Sequence, residues 1–417
     1  MAPRILHVLS QRPGRTGSGV TLDAIVGRAA QAGWEQAALV GVPAAETDPA
    51  VGGLPADAVH RVTFTPDEGP APPDLPFAVP GMSDVMPYPS SVWSTLTVEQ
   101  RDLYRSVWRR RLAEVLGRVR PHLIQSNHVW LVSALLKDVA PDLPVVATCH
   151  ATGLRQMELC PQLAPEVIAG CRRLDRFAVL HREHRGLLAT RLGIEPGRIA
   201  LVGAGYRDEL FGGPAAPADA RRDQLLYVGK SSRAKGVPWL LDAVTALAPV
   251  RPGLRLHVAG GGAGPEAECL HARMDALAPV VVRHGPLDQA RLADLMRRCA
   301  VLVLPSFYEG VPLVLAEAAA CGCRLVATAL PGVVSELAPH FGPRLTLVDL
   351  PRLLGVDEPV AEDLPAFTVR LAAALDRALV QPPAEAPPPA QLSPLAWPAV
   401  FRRLESLWIG LLGGRCP

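Results

Sequence analysis

The feature that most constrains this chain is an alternation. Short apolar runs are separated by segments of helical period almost throughout, the pattern of strand–helix–strand units whose strands pair in parallel. Candidate strands of a first half are RILHVLS, QAALVGV, HLIQSN, PVVATC, DRFAVL and RIALVG; a second series is QLLYVG, LRLHVAG, VVVRHG, VLVLPS, RLVAT and RLTLVD. At 417 residues the chain exceeds what one hydrophobic core usually supports, and 49% hydrophobic residues supply material for two. Two doubly wound α/β domains are the economical architecture, residues 1–205 and 206–380. The seam is expected in the segment Gly203 to Asp223, where Gly, Pro and Ala accumulate without period.

Two segments break the pattern. Thr63 to Ser91 is too rich in proline for regular structure, yet it carries Phe, Met and Tyr side chains that favour cover. It reads either as an ordered excursion lying over a cleft or as a mobile surface loop. Gln381 to Gln391 reads as a stiff polyproline-like linker. After it comes an amphipathic tail helix that must dock, packing back on the first domain, to hide Trp397, Phe401 and Trp408.

Composition narrows the function. A net charge of +2, from 42 basic and 40 acidic residues, argues against a dedicated nucleic-acid binder and against a polybasic membrane anchor. No apolar run is long enough to span a bilayer, and the start MAPRILHVLS has no long apolar core of a secretory signal; a cytoplasmic location is expected. The eight cysteines show no paired C-x-x-C spacing, so they are expected to be reduced and without metal.

Chemistry concentrates in the second half. In VGKSSRAKGVPWLL, Lys230 and Lys235 flank a short loop at the end of a strand, where open α/β sheets bind ligands, and two ammonium groups there suit a diphosphate. In VLVLPSFYEGVPLVLAEAAACGCRLVAT, a helix is expected over Pro312 to Cys321, with Gly322 capping it. From Leu313 to Cys321 every residue is apolar or small except Glu317, which follows Glu309 by eight residues. A carboxylate among such neighbours needs solvent or a specific partner. With Gly310, Val311, Pro312 and Leu313 leading into the helix start, the two glutamates read as a ruler for a nucleoside diphosphate sugar, one carboxylate for each polyol. The glycine-rich turns GRTGSG at Gly14 to Gly19 and GGGAG at Gly260 to Gly264 could place backbone N–H groups at an anion, but neither spells a dinucleotide fingerprint.

Those residues resemble a known family. PSFYEGVPLVLAEAAACGCRLVAT is similar to the E-x7-E signature of the retaining GT-B-fold glycosyltransferases of the family 4 and glycogen synthase type. LLYVGKSSRAKGVPWLLDAV resembles the family's phosphate-binding segment, GRTGSGVTL its first glycine loop, and VVATCHATGLRQ the segment that ends a sugar-contacting strand in His. The resemblance implies two Rossmann-like domains facing a cleft. It implies that Lys230 and Lys235 hold the diphosphate, Glu317 the ribose, and Glu309 with the Gly310 to Leu313 backbone the donor sugar. His150 would approach the sugar from the first domain, and Gly17, Ser18 and Gly19 would close over the phosphates. The chain departs from the family's pattern in having Lys230 where Arg is usual and Ala204-Gly205 where an Asn-Gly turn is usual.

The implied reaction is transfer of a sugar from a UDP-sugar or GDP-sugar to a small-molecule acceptor, with retention. No D-x-D sequence occurs, so no metal and no cofactor is expected and the lysines would neutralise the leaving diphosphate. A second copy of the chain is a further candidate partner. A nucleotide-sugar epimerase of the same fold would want further acid/base carboxylates, and a phosphorylase a cofactor-binding lysine. An inactive scaffold would be expected to lose Glu309 or Lys235, and both are present.

Overall fold

Among the described residues, thirteen strands form two wholly parallel sheets. The computed structural model describes residues 2–14, 16–65, 72–83, 86, 88–381, 387 and 389–413. Most of the expected linker Gln381 to Gln391, and part of the proline-rich stretch, lie outside the described residues. The chain folds as two units, Met1–Gly203 with Trp397–Pro417 and Ala204–Ala396. The second unit extends past 380 because Leu392, Leu395 and Ala396 are buried in its core, and Leu395 O accepts the Tyr206 amide at 3.0 Å.

In the first unit the strands are β1 (Arg4–Leu9), β2 (Glu35–Pro43), β3 (Val59–Phe64), β4 (Leu123–Asn127), β5 (Val145–Cys149), β6 (Arg176–Val179) and β7 (Ile199–Leu201). Their spatial order is β3-β2-β1-β4-β5-β6-β7. Strand β1 therefore pairs with β2 on one side and with β4 on the other, Ile5 opposite both Gln36 and Leu123. The order reverses between β1 and β4, which opens a crevice at the carboxyl ends of those strands.

Strand β3 was not among the expected strands. It is an edge strand whose His60, Arg61 and Thr63 are only half-buried, so it lacks a continuous apolar run. Its free edge is covered by the proline-rich segment: the Thr65 amide donates to Leu75 O at 3.1 Å and the Leu75 amide to Thr63 O at 3.0 Å. Leu75, Phe77, Val79, Met82 and Tyr88 are buried in the same core as β1 and β4. The covering removes an unpaired backbone edge that would otherwise invite another chain.

The tail helix Trp397–Leu411 belongs to the first unit. Trp408 is fully buried against Trp34 and Phe401, and its indole N–H donates to Gln125 Oε1 at 2.9 Å. Burying such a ring is worth about 2–3 kcal/mol, and the hydrogen bond answers the one polar atom it brings inside.

The second unit has β8 (Gln224–Val228), β9 (Arg255–Ala259), β10 (Val281–Gly285), β11 (Val301–Leu304), β12 (Arg324–Thr328) and β13 (Leu345–Val348), in the order β10-β9-β8-β11-β12-β13. Here the reversal lies between β8 and β11. Among the described residues no helix is long and apolar enough to cross a membrane, and no three His, Cys, Asp or Glu side chains group as metal ligands. None of the seven described cysteines is in a disulfide.

Candidate functional site

The loop leaving β8 is shaped by glycine. Gly236 sits at φ +70, and a Cβ there would fall 2.1 Å from Pro305 O. The loop thus lies directly on the segment leaving β11, and the Phe307 amide donates to Ala234 O at 2.9 Å. This contact brings the lysine loop and the glutamate loop together at the reversal point of the sheet. Lys235 Nζ reaches Glu309 Oε1 at 2.7 Å and Tyr308 O at 3.1 Å, and Ser306 Oγ donates to the same Glu309 oxygen at 2.8 Å.

Lys230 follows one residue after Gly229, its carbonyl held by the Tyr227 hydroxyl at 2.7 Å. Its pKa is lowered, first by desolvation and then by Lys235. Two neighbouring ammonium groups share this corner, with one carboxylate, Glu309, on Lys235. The residual positive charge suits an anion.

The helix carrying Glu317 corrects the sequence reading. It spans Val314–Ala320, seven residues, with Leu313 at its N-cap rather than Pro312 in its first turn. Pro312 O only accepts the Leu315 amide at 3.1 Å. So short a helix contributes little dipole at Gly310 to Leu313, and the lysines become the principal positive charge. The other end is as expected: Gly322 at φ +84 closes a Schellman motif, with its amide on Ala319 O at 3.0 Å and the Cys323 amide on Ala318 O at 2.9 Å. Glu317 sits one turn into the helix, half-buried, and burial pushes its carboxyl up to about 7. No cation or hydrogen-bond donor among the described residues meets that side chain. A raised, unpartnered carboxyl at the ligand-binding edge of a sheet is a functional candidate.

In the first unit Gly17, Ser18 and Gly19 are the first turn of the helix Gly17–Gln31, not a loop preceding it. Thr16 caps that helix, its hydroxyl oxygen accepting the Gly19 amide at 3.3 Å. Gly19 must be glycine, since a Cβ would stand 2.5 Å from Gly14 N. His150 follows β5 and is the N-cap residue of the helix Ala151–Leu159. Burial lowers its pKa to about 4, so it is neutral near pH 7. Its side chain makes a long hydrogen bond, Nε2 to Asn127 Oδ1 at 3.5 Å.

Sequence reasoning missed the residues around it. Gln11 follows β1, Asn127 and His128 close and follow β4, and Thr152 lies two residues beyond His150. His128 Nε2 is 3.0 Å from Gln11 Oε1, and Thr152 Oγ1 is 3.2 Å from His128 Nδ1. Their position at the carboxyl ends of neighbouring parallel strands was the available signal. In the second unit Lys235 meets Glu309 with Lys230 nearby, while Glu317 lies one turn into the following helix; in the first, hydrogen bonds run from Ser18 through Gln11 and His128, whose ring neighbours that of His150.

Comparison with known proteins follows the same division. The profile of the family described as Glycosyltransferase Family 4 matches residues 51–210, and that described as Glycosyl transferases group 1 matches residues 222–346. A glycogen synthase of Mycobacterium tuberculosis is 32% identical over 228 residues, 51% of this chain and 53% of that protein. A D-inositol 3-phosphate glycosyltransferase of Streptomyces scabiei is 30% identical over 246 residues, 52% of this chain and 53% of that one. The chain thus spans about half the length of the curated relatives it matches. Among solved structures, sucrose-phosphate synthase from Thermosynechococcus elongatus is similar over 99% of both chains, at 19% identity and a TM-score of 0.67. HepE of Anabaena, in complex with UDP and glucose, is similar over 97% of this chain and 98% of that one, at 17% identity and a TM-score of 0.61.

Proposed function

This chain belongs to the GT-B-fold glycosyltransferases of group 1 and family 4, and from that premise we propose that it transfers a sugar from a nucleoside diphosphate sugar to a small-molecule acceptor, with retention and without a metal ion. The observation that carries this reading is the corner of the second unit where Lys235 and Lys230 converge beside Glu309. As the bond to the sugar breaks, negative charge grows on the leaving diphosphate. Two neighbouring ammonium groups, that of Lys235 held by Glu309 and Tyr308 O, stabilise that charge more in the transition state than in the ground state, and this lowers the barrier.

Glu309, already held by Lys235 and Ser306, positions the hydroxyls of the transferred sugar. Glu317, without a partner of its own among the described residues, takes the ribose hydroxyls. Neutral His150 offers a hydrogen bond but no positive charge, so the departing phosphate is the base that takes the acceptor's proton, and attack comes from the face it leaves. His150 and the Gly17–Gly19 helix start are the first unit's contributions to substrate binding. UDP is favoured as the nucleotide, supported by the UDP and glucose in the HepE structure, with GDP as the alternative. Relatives named for D-inositol 3-phosphate support a cyclitol-like acceptor.

The test is a thermal-shift panel of UDP, GDP and ADP, followed by release of the nucleoside diphosphate from each matching sugar nucleotide. A stabilising shift with one base and slow hydrolysis of its sugar nucleotides are expected. No shift and no release with any of them would reject the reading.

A further inference from the structure

His128 follows β4 with φ +68, in the left-handed region that side-chain-bearing residues rarely occupy. Such strain persists only where the surroundings hold it. Here the backbone is held on both sides: the His128 amide donates to Thr148 O at 3.0 Å, and His128 O accepts the Ser133 hydroxyl at 2.5 Å. The residue is almost completely buried.

Its ring is held as firmly. Gln11 Oε1, 3.0 Å from Nε2, can only accept, so Nε2 carries the proton. Nδ1 is then an acceptor, and the Thr152 hydroxyl donates to it at 3.2 Å. Gln11 Oε1 also takes the Ser18 hydroxyl at 3.3 Å. Burial, and then the neighbouring His150, hold the pKa of His128 well below the usual imidazole value, which keeps the ring neutral. The ring lies 4.8 Å, centroid to centroid, from that of His150. One side chain therefore touches three things: through Gln11 the helix start at Ser18, through Thr152 the helix that His150 begins, and the His150 ring itself.

We propose that His128 is a positioning residue that fixes His150 and the Gly17–Gly19 helix start as one rigid substrate-facing element. This rests on the reading of His150 and Gly17–Gly19 as substrate-binding. It adds a residue 22 positions before His150 and 117 after Gln11. The left-handed backbone at φ +68 coexists with a ring held between Gln11 and Thr152, and the positioning role gives a reason to keep it.

Two variants test it. Thr152→Val removes the donor to Nδ1 with nearly no change of shape, and His128→Asn keeps a residue tolerant of the left-handed region but too short to span both partners. In each, kcat should fall by about tenfold or more while KM for the sugar nucleotide stays within about threefold, because the lysine corner is untouched. Values of kcat within about twofold of wild type in both variants would overturn the proposal. So would losses that merely track the fraction of folded protein.

Nitrogen-15 spectra of the histidines read the coupling without turnover. The His128 ring should be protonated at Nε2 alone between about pH 5.5 and 8, and Thr152→Val should shift the His150 ring resonances. A proton on Nδ1, or unmoved His150 resonances, would refute the positioning role. If the wild-type protein releases no nucleoside diphosphate from any donor, the transfer reading fails, and these spectra still decide whether His128 orders His150.

Discussion

Lys235 Nζ and Glu309 Oε1 lie 2.7 Å apart, and the same glutamate oxygen also receives the Ser306 hydroxyl at 2.8 Å. The lysine that the proposed reaction assigns to the diphosphate is thus held by the carboxylate assigned to the sugar. Both side chains keep some access to solvent, and such a pair is worth about 1 kcal/mol or less. A diphosphate can therefore recruit Lys235 cheaply, while Ser306 keeps Glu309 in place. The pair is preorganised but exchangeable.

Removing Lys235 should cost both roles at once. Lys235→Ala is expected to lower kcat/KM by roughly 100-fold, about 3 kcal/mol of lost transition-state stabilisation. Lys235→Arg should recover part of this, since the charge returns with a different geometry. Turnover of the wild type should persist in excess EDTA. Strict dependence on added magnesium or manganese would instead place the leaving-group charge on a metal and not on the lysines.

The two glutamates should fail differently. Ribose contacts exist in the ground and transition states alike, so Glu317→Ala should weaken binding of the free nucleoside diphosphate. Glu309→Ala should leave that binding nearly intact and lower kcat. Isothermal titration separates the cases, and equal losses of nucleotide affinity in the two variants would contradict the ruler assignment.

The parts of this molecule that depend on local pattern were legible, and the parts that depend on distant contacts were not. Strand β3 escaped because an edge strand half in water does not repeat apolar residues. Lys230, Lys235, Glu309 and Glu317 could be read, the first three as charges in the loops that follow apolar strands and Glu317 as the one charge in an otherwise apolar helix. Their pairing could not, because Lys235 and Glu309 meet only through the close approach of Gly236 to Pro305. The start of the Glu317 helix was misplaced by a proline whose fixed φ suits a first turn but does not require one. The Gln11–His128 bond joins residues 117 apart in the chain, and no spacing rule reaches that far.

That approach of Gly236 to Pro305 gives its own expectation. Gly236→Ala puts a Cβ against a backbone carbonyl at a left-handed position, and neither can yield without moving the loop. The variant should lose about 1–3 kcal/mol of stability. Because Lys235 is the adjacent residue, nucleotide affinity should fall as well. Chemical denaturation and titration together check both, and a variant as stable as wild type would show that the loop has more room than this geometry gives it.

Glu317 makes the last prediction a matter of sign. Its folded-state carboxyl is raised from 4.5 to about 7 by burial, so between those values the native protein binds a proton that the unfolded chain has released. Stability then falls as pH rises across this window and levels off above it. The shift is the reverse of that seen for a salt-bridged carboxylate. Glu317→Gln removes the titration, so its melting temperature should exceed that of wild type by an amount that grows from about pH 4.5 to 7 and then stays constant. Binding should move the other way. Ribose hydroxyls donate to the carboxylate form, so affinity for an intact sugar nucleotide, whose phosphates do not titrate here, should rise in the wild type as pH passes through about 7. The Glu317→Gln variant should bind more weakly with a flat profile. A variant that is more stable yet binds less would show that the charge is kept for the ligand, against the preference of the helix that carries it; a wild-type affinity independent of pH would remove Glu317 from the ribose.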